Sequence, residues 1–234
     1  MGLGTGGVLT QPLTPGPGVK GEVTIVELGR LERSVARRSA ETRAIVPSVE
    51  LLTEVELADA PPAAPEAWLA TILTVVGRAL RRFPRLNGAY RDGHYELYSR
   101  VNIGISLPTP EGTASATLFD ADGKEPAAIE LELAELSERA SAGRLSAAEL
   151  SGATFTVIGP APGGVTLLTP LIQPPQAAAL AIGPSREAAV VQAGAVTVGR
   201  KLPLTLACDH RIVHVSEGSE FLAQVKAALE AGSA

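Results

Sequence analysis

The stretch Leu204-Thr-Leu-Ala-Cys-Asp-His-Arg-Ile-Val-His214 takes the chain from an apolar run into a charged turn. Its start predicts a buried strand at Pro203–Ala207, because short continuous hydrophobic runs are typical of strands inside a sheet. Beyond it, a helix is predicted over Glu217–Ala231 from apolar residues at helical spacing: Phe221, Leu222, Val225 and Leu229. The two histidines of the stretch, His210 and His214, are therefore expected on a loop between a strand and a helix.

Strand and helix patterns alternate through the rest of the chain. Alternating and short apolar runs predict strands at Glu22–Leu28, Val49–Leu57, Val101–Leu107, Ala114–Phe119, Ala153–Ile158, Ala177–Ile182, Ala189–Gln192 and Ala195–Val198. Helical spacing predicts helices at Arg30–Arg43, from Pro65 to Leu80, at Glu125–Ala142 and, from a capping box, just after Ser146. Asp92-Gly93 predicts a hairpin between Leu86–Tyr90 and His94–Tyr98. The pattern indicates an α/β or α+β sandwich, a mixed β-sheet with flanking helices.

The first of these helices has a mixed surface. Leu31, Val35 and Arg38 follow at the helical spacing i, i+4, i+7, with Ser34 and further arginines on the side expected to face solvent. We interpret the arginines as a solvated face. An access channel for phosphate groups is the alternative, because guanidinium groups bind phosphate well.

Composition excludes several classes of protein. The 234 residues are 45% hydrophobic, which excludes a disordered chain, and the single cysteine, Cys208, excludes a disulfide framework. A net charge of -5 and 3% aromatic residues argue against nucleic-acid binding. No run is apolar and long enough to span a bilayer, and no secretory signal is recognisable, so we expect a cytoplasmic protein without membrane contact. Residues 1–21 contain seven Gly and three Pro and are predicted to be a flexible arm before one domain at 22–234.

The chain has three histidines, His94, His210 and His214. His94 stands beside the predicted glycine turn and is expected on the surface. His210 and His214 are four positions apart, a spacing that binds zinc when both lie on one helix. Because they are expected on a loop without an evident third ligand, we predict no metal site.

Five segments together resemble a known family. Asp209-His210-Arg211 and the residues after it resemble the DHRxxDG signature of the dihydrolipoamide acyltransferases, the acyl-carrying components of 2-oxoacid dehydrogenase complexes. The other four resemble, in chain order, the family's hPxlNas, VNIGIAVxTPxGL, LtpeElxGgTFT and fTPIInPPqaai segments: Phe83–Tyr90, Val101–Gly112, Leu145–Thr156 and Leu168–Ala179. The resemblance covers residues 22–231. It implies a catalytic-type domain at 22–234 with an α/β fold, the chloramphenicol acetyltransferase-like two-layer sandwich.

The resemblance also implies direct acyl transfer. In this family a histidine base takes the proton of an acceptor thiol or hydroxyl, the acceptor attacks a thioester, and a serine or threonine hydroxyl stabilises the oxyanion. The base position is His210. The hydroxyl position is Ile158, which we expect in one pocket with Thr156 and Gly159. One such donor is worth about 100- to 1000-fold in rate, so its loss is expected to weaken catalysis without abolishing it.

A second departure concerns the loop that carries the base. The acidic residue of the signature is His214 here, and in the family it is thought to face an arginine of the N-terminal helix, whose position aligns with Glu32. We therefore predict an inverted Glu32–His214 pair that still holds the loop, which favours a maintained site over a decayed one. Asp209 and Arg211 are predicted as structural supports of the loop, and Cys208 as a small core residue.

The resemblance implies a homotrimer with its active site between subunits and a coenzyme A thioester as co-substrate, with no bound cofactor. The family's lipoyl and partner-binding domains are not recognisable in the sequence. We therefore expect a stand-alone acyltransferase, in the first instance an acetyltransferase, that moves an acyl group from coenzyme A or an acyl carrier protein to the hydroxyl or thiol of a small molecule. Natural-product intermediates of the tetronate type are one acceptor class that the resemblance suggests.

The competing hypothesis is a pseudo-acyltransferase that acts as a structural or assembly subunit, because fold alone does not establish activity. A substitute oxyanion donor near Ile158 would favour the enzyme. The backbone N–H groups of Gly159–Gly164 are candidates for that donor.

Overall fold

The fold is built on a mixed β-sheet. The computed structural model describes residues 24–57, 65–110, 112–160, 164–192 and 194–232. The strands are β1 (Ser48–Leu57), β2 (Gly88–Arg91), β3 (His94–Leu97), β4 (Ile103–Thr109), β5 (Gly112–Leu118), β6 (Phe155–Ile158), β7 (Ala178–Ile182), β8 (Arg186–Gln192) and β9 (Ala195–Asp209). The main sheet has the order β1-β9-β7-β6-β4-β5, with β8 paired to β9. Strand β6 is parallel to both of its neighbours and the other pairs are antiparallel, which confirms the predicted mixed sheet.

Helices lie on both faces of this sheet. They are α1 (Arg30–Ile45), α2 (Pro65–Leu80), α3 (Pro126–Ser141), α4 (Ala147–Ser151) and α5 (Val215–Glu230). Helices α2, α3 and α5 share one buried apolar cluster with the strands, through the residues that helical spacing predicted to lie inward, among them Ile72, Leu73, Ile129, Phe221 and Val225. Burying this apolar surface is the main driving force that holds the two layers together.

Helix α5 approaches the sheet closely at Gly218. A β-carbon at this position would lie 2.6 Å from Cδ1 of Leu51 on β1 and 3.5 Å from Sγ of Cys208 on β9. Only glycine allows this approach without displacing Leu51. The first turn of α5, which follows His214, is therefore held against β9, which leads into the histidine loop, and against its neighbour β1.

A separate two-stranded sheet is formed by β2 and β3. The Asp92-Gly93 turn joins them, with φ angles of 44° and 87°. Two positive φ angles are the requirement of the tight hairpin turn that the dipeptide predicted. The turn fixes the register so that Tyr90 stands opposite Tyr95.

Two strand predictions need correction. The strand predicted at Glu22–Leu28 is not formed over the part the structure describes, residues 24–28, where Ile25, Val26 and Leu28 are exposed. Their alternation lacks a strand partner and a face to bury, which a half-buried strand requires. The strands predicted at Ala195–Val198 and Pro203–Ala207 form one strand, β9, because residues between them pair with both β8 and β1. The predicted arm, residues 1–21, lies outside the described residues.

Helix α1 forms where predicted, but its expected inward face is not buried within one chain. Val35 is 49% exposed and Arg38 is also exposed, while the side chain of Leu31 lies outside the described part. The helix is tied down near its end by Thr42, whose hydroxyl donates to the Ile172 carbonyl at 3.1 Å. Most of α1 therefore lies open beside the sheet face that α2, α3 and α5 leave uncovered.

The ribbon of β8 and the first half of β9 carries an exposed apolar surface. Val191, Val196 and Val198 are 69%, 76% and 79% exposed. Among the described strands, β8 pairs with β9 alone, so its other edge has no hydrogen-bonding partner. No helix in the described ranges is long and apolar enough to cross a membrane.

Candidate active site

The backbone at the start of the loop after β9 is fixed by hydrogen bonds to two neighbouring segments of the chain. The Asp209 N–H donates to the Ala177 carbonyl at 2.8 Å and the His210 N–H to the Pro47 carbonyl at 2.9 Å. The imidazole Nδ1 lies 3.2 Å from the Val213 carbonyl oxygen. Because a carbonyl can only accept, this contact assigns the ring proton to Nδ1. The Nε2 of the exposed ring is then left as a proton acceptor.

A bidentate ion pair holds the residues on either side of His210. Arg211 Nε donates to Asp209 Oδ1 at 2.9 Å and Arg211 Nη2 to Oδ2 at 2.6 Å, and the Arg211 N–H donates to the same carboxylate at 3.0 Å. Asp209 is only 2% exposed, so the fork satisfies a buried charge. The hydrogen bond from the Arg211 side chain to Asp209 raises the pKa of Arg211. The structure thus gives both residues contacts within the loop.

Two tyrosines that sequence reasoning missed contact this loop from the small sheet. The Arg211 guanidinium lies 4.3 Å from the Tyr90 ring centre, and the Tyr95 hydroxyl donates to the Arg211 carbonyl at 3.1 Å. The signal was available, since a two-residue Asp92-Gly93 turn places Tyr90 opposite Tyr95 with both side chains on one side of the ribbon. The hairpin therefore braces the peptide bonds next to His210.

His214 caps the N-terminus of α5 through its backbone, and its ring stands edge-on to that of His210, with centroids 5.9 Å apart. Among the residues described, no cluster of three or more His, Cys, Asp or Glu is placed to hold a metal ion. Burial, with nearby Glu217 and Asp209, raises the pKa of the Cys208 thiol to about 12. The thiol is therefore protonated at neutral pH and is not an available nucleophile.

The other predicted site residues meet in a different place. A cleft of about 670 Å³ between α1 and strands β4, β5 and β6 is lined by Glu32, Thr156 and Ile158. Thr156 is buried and its hydroxyl donates to Gln176 Oε1 at 2.7 Å, while a Glu32 carboxylate oxygen accepts the Gly29 N–H at 2.7 Å. The half-buried Ile158 presents an apolar side chain to the cleft. Thr156 is thus committed elsewhere, and Ile158 has no donor to offer.

The cleft and the histidine are far apart in one chain. Ile158 aligns through Ala181 of β7 with Thr205 of β9, and His210 comes five residues after Thr205. At usual strand dimensions this is about 16 Å along the sheet and about 10 Å across it. A base and an oxyanion donor must both lie within hydrogen-bond reach of one reacting carbonyl, so Ile158 and His210 of the same chain do not meet.

The predicted Glu32–His214 pair does not form an ion pair within the described residues of one chain. Glu32 lies in the cleft and His214 beside His210. The pairing stays a prediction, which a contact between two subunits would have to satisfy. Gly159 follows β6 directly, with a φ of 113° that favours glycine, and of the candidate donors in Gly159–Gly164, residues 161–163 lie outside the described part.

Comparison with known proteins gives a consistent assignment. A family model described as 2-oxoacid dehydrogenases acyltransferase (catalytic domain) matches residues 20–233. The chain is 27% identical over 221 residues to the dihydrolipoyllysine-residue acetyltransferase component of the pyruvate dehydrogenase complex of Acholeplasma laidlawii, covering 88% of this chain and 41% of that protein. It is 35% identical over 153 residues to the dihydrolipoyllysine-residue succinyltransferase component of the 2-oxoglutarate dehydrogenase complex of Rickettsia typhi, covering 65% and 38%. The chain spans about two fifths of the length of these relatives.

Solved structures confirm the predicted fold. A probable dihydrolipoamide acetyltransferase from Listeria monocytogenes superposes with a TM-score of 0.83 at 24% identity, covering 89% of this chain and 95% of that one. A chloramphenicol acetyltransferase superposes with a TM-score of 0.52 at 16% identity, covering 82% and 94%. The α/β chloramphenicol acetyltransferase-like sandwich is therefore the fold of this chain. With the match across residues 20–233, the chain belongs to the catalytic-domain family of the 2-oxoacid dehydrogenase acyltransferases, a family of enzymes.

Proposed function

We propose that this chain transfers an acyl group from a coenzyme A thioester to the thiol or hydroxyl of a second substrate, with His210 as general base. The observation that carries the proposal is the preorganised histidine. The Val213 carbonyl fixes the proton on Nδ1, and the fork between Asp209 and Arg211 holds the loop. An exposed Nε2 with a free lone pair is what a base needs to take a proton from an incoming acceptor.

The reaction balances with this one base. His210 Nε2 takes the acceptor proton as the acceptor oxygen or sulfur bonds to the thioester carbonyl carbon, and the carbonyl electron pair moves onto oxygen. When the tetrahedral intermediate collapses, the carbon–sulfur bond breaks. The imidazolium then returns its proton to the departing coenzyme A thiolate, which leaves acylated acceptor and free coenzyme A.

The split site favours a homotrimer in which His210 of one subunit faces the Ile158 cleft of the next. Three features support it: the separation of the two halves within one chain, the open helix α1, and the exposed valines on the unpaired β8 edge. An exposed apolar ribbon with a free edge is typical of an interface rather than of a monomer surface. A closed ring of identical subunits would complete every site in the same way.

Two classes of acceptor fit the proposal. The names of the relatives point to a dihydrolipoyl thiol. The alternative acceptor is a small hydroxylated molecule, such as a natural-product intermediate of the tetronate type. The alternative acyl donor is an acyl carrier protein. Arg38 lines the cleft and makes no ion pair with the residues described, so it is available to an anionic group of either substrate. A panel of thiol and hydroxyl acceptors, each assayed with acetyl- and succinyl-coenzyme A, distinguishes these classes.

The test is acceptor-dependent release of coenzyme A thiol. We expect His210→Ala to lower the rate by about 10²- to 10⁴-fold, because this is what a positioned base contributes. His94→Ala is the matched control, since His94 is an exposed histidine on the small sheet. A His210→Ala protein that retains its activity within a few-fold would refute the proposed base.

The pseudo-acyltransferase hypothesis is favoured by one observation, the apolar Ile158 at the oxyanion position of the cleft. It predicts that the purified protein assembles but releases no thiol from any thioester with any acceptor. Transfer that depends on His210 contradicts it.

A further inference from the structure

We infer that Ser106 supplies the oxyanion hydrogen bond that Ile158 cannot donate; the inference rests on the acyl transfer proposed above. Strands β4 and β6 are parallel neighbours, with Ile105 aligned to Val157. The next residue of each strand brings Ser106 beside Ile158. Neighbouring strands are about 4.8 Å apart, so the serine stands one strand spacing from the position where the family carries its hydroxyl.

Both side chains are on the cleft face of the sheet. Ile103 and Ile105 of β4 are buried in the core, so strand alternation directs Gly104 and Ser106 to the opposite face. On β6, the buried Val157 likewise leaves Ile158 on that opposite face. Ser106 and Ile158 both line the cleft between this face and α1. The hydroxyl is therefore open to the same ligand that the Ile158 side chain would touch.

Ser106 is also free to donate. The two threonines that alternate with Ile158 are already engaged in the fold. Thr154 donates its hydroxyl to Asn87 Oδ1 at 2.6 Å, and Thr156 donates to Gln176 Oε1. The exposed Ser106 hydroxyl makes no hydrogen bond to any residue in the described part of the chain. A donor that is not engaged in the fold can turn to a charge that develops on a substrate, without first breaking a bond.

The sequence differs from the family segments at both positions, Ile158 and Ser106. In the VNIGIAV segment that residues 101–107 resemble, the position of Ser106 is alanine. This chain thus has the apolar Ile158 where the family has a hydroxyl. On the adjacent strand it has the hydroxyl of Ser106 where the family segment has the methyl group of alanine. The thioester carbonyl is then displaced toward β4, with the Ile158 side chain against the acyl group.

The role of Ser106 follows from the balanced reaction. When the acceptor bonds to the carbonyl carbon, the Ser106 hydroxyl donates a hydrogen bond to the new oxyanion and keeps its own proton. The bond weakens again when the carbon–sulfur bond breaks and the carbonyl reforms. Because the interaction is strongest at the charged intermediate, it lowers the barrier more than it aids substrate binding.

The experiment measures kcat and KM for thiol release with the best donor and acceptor pair. Ser106→Ala is expected to lower kcat by about 100-fold or more, with KM for the thioester changed by less than about twofold. Ser106→Thr, which keeps a hydroxyl, is expected to retain most of the rate. Ser115→Ala is the comparison variant: Ser115 pairs with Ser106 across β4 and β5, one strand further from Ile158, so a loss below about threefold is expected.

A double variant sharpens the test. Ile158→Ser in the Ser106→Ala background is expected to regain at least about tenfold, because it returns a hydroxyl to the family's position. Ser106→Ala that transfers at the wild-type rate, in a protein whose activity needs His210, overturns the inference and leaves the proposed function intact. A wild-type protein without any His210-dependent thiol release overturns the proposed function and this inference with it.

Discussion

Individual residues in the histidine loop show how a buried charge stabilises a site. Asp209 lies at the end of β9, almost fully buried, and the Arg211 guanidinium meets it with two parallel hydrogen bonds. The Asp-His-Arg sequence predicted that these two residues support the loop. It did not predict Tyr90 as the surface on which the guanidinium lies, because that contact depends on where the hairpin docks.

Arg211→Lys is expected to lower the free energy of unfolding by about 1–3 kcal/mol. Lysine cannot reproduce the two-pronged contact or the stacking on Tyr90, so the buried carboxylate loses part of its partner. Urea unfolding followed by circular dichroism measures the change.

Arg91→Lys is the matched control for this change. Its partner Glu96 and Arg91 itself are both largely exposed, and surface pairs contribute about 0–1 kcal/mol. Equal destabilisation by the two substitutions would contradict the prediction that the Asp209–Arg211 pair contributes more to the free energy of unfolding than the Arg91–Glu96 pair.

The small sheet of β2 and β3 braces the histidine loop. Tyr95→Phe removes one hydroxyl that donates to the Arg211 carbonyl and leaves the ring in place. One neutral hydrogen bond is worth about 1 kcal/mol, which corresponds to about a fivefold change. We expect amide exchange of Ile212 and Val213, whose N–H groups bind the Asp209 carbonyl, to quicken by about that factor. The kcat is expected to fall similarly, with KM unchanged.

Tyr98→Phe serves as the control for the brace. Tyr98 belongs to the same hairpin region, but its side chain interacts with Arg91 rather than with the loop. Unchanged exchange at Ile212 and Val213 in Tyr95→Phe would show that the hairpin does not hold the loop.

Elements were predictable where their partners are local or lie inside one chain. The Asp92-Gly93 turn, the capping box at Ser146 and the inward faces of α2, α3 and α5 follow from short-range pattern and are confirmed. The strand at Glu22–Leu28 and the buried face of α1 were wrong for the described chain, because apolar spacing indicates a face to be covered without saying what covers it. The sequence also did not predict that β9 is one long strand, because its continuity depends on pairing with β1 and β8.

At the scale of the whole molecule, the sheet keeps His210 and Ile158 apart in one chain, although motif resemblance assigns both to one proposed site. Motif resemblance assigns positions along the chain, whereas the sheet places Ile158 two strands from β9 and level with Thr205, five residues before His210. In the proposed reaction, a second subunit completes each site.

The most direct test mixes two inactive variants. His210→Ala lacks the base, and Ile158→Glu places a carboxylate in the cleft, where it repels the developing oxyanion. Co-expression with two affinity tags yields mixed assemblies, and kcat for thiol release is measured on the doubly purified material. In every trimer that carries both tags, one site of three combines an intact His210 with an intact cleft from the neighbour, so we expect about a third of the wild-type rate. A mixture as inactive as its parents would contradict a site shared between subunits, and an Ile158→Glu protein with wild-type activity would contradict the role of the cleft.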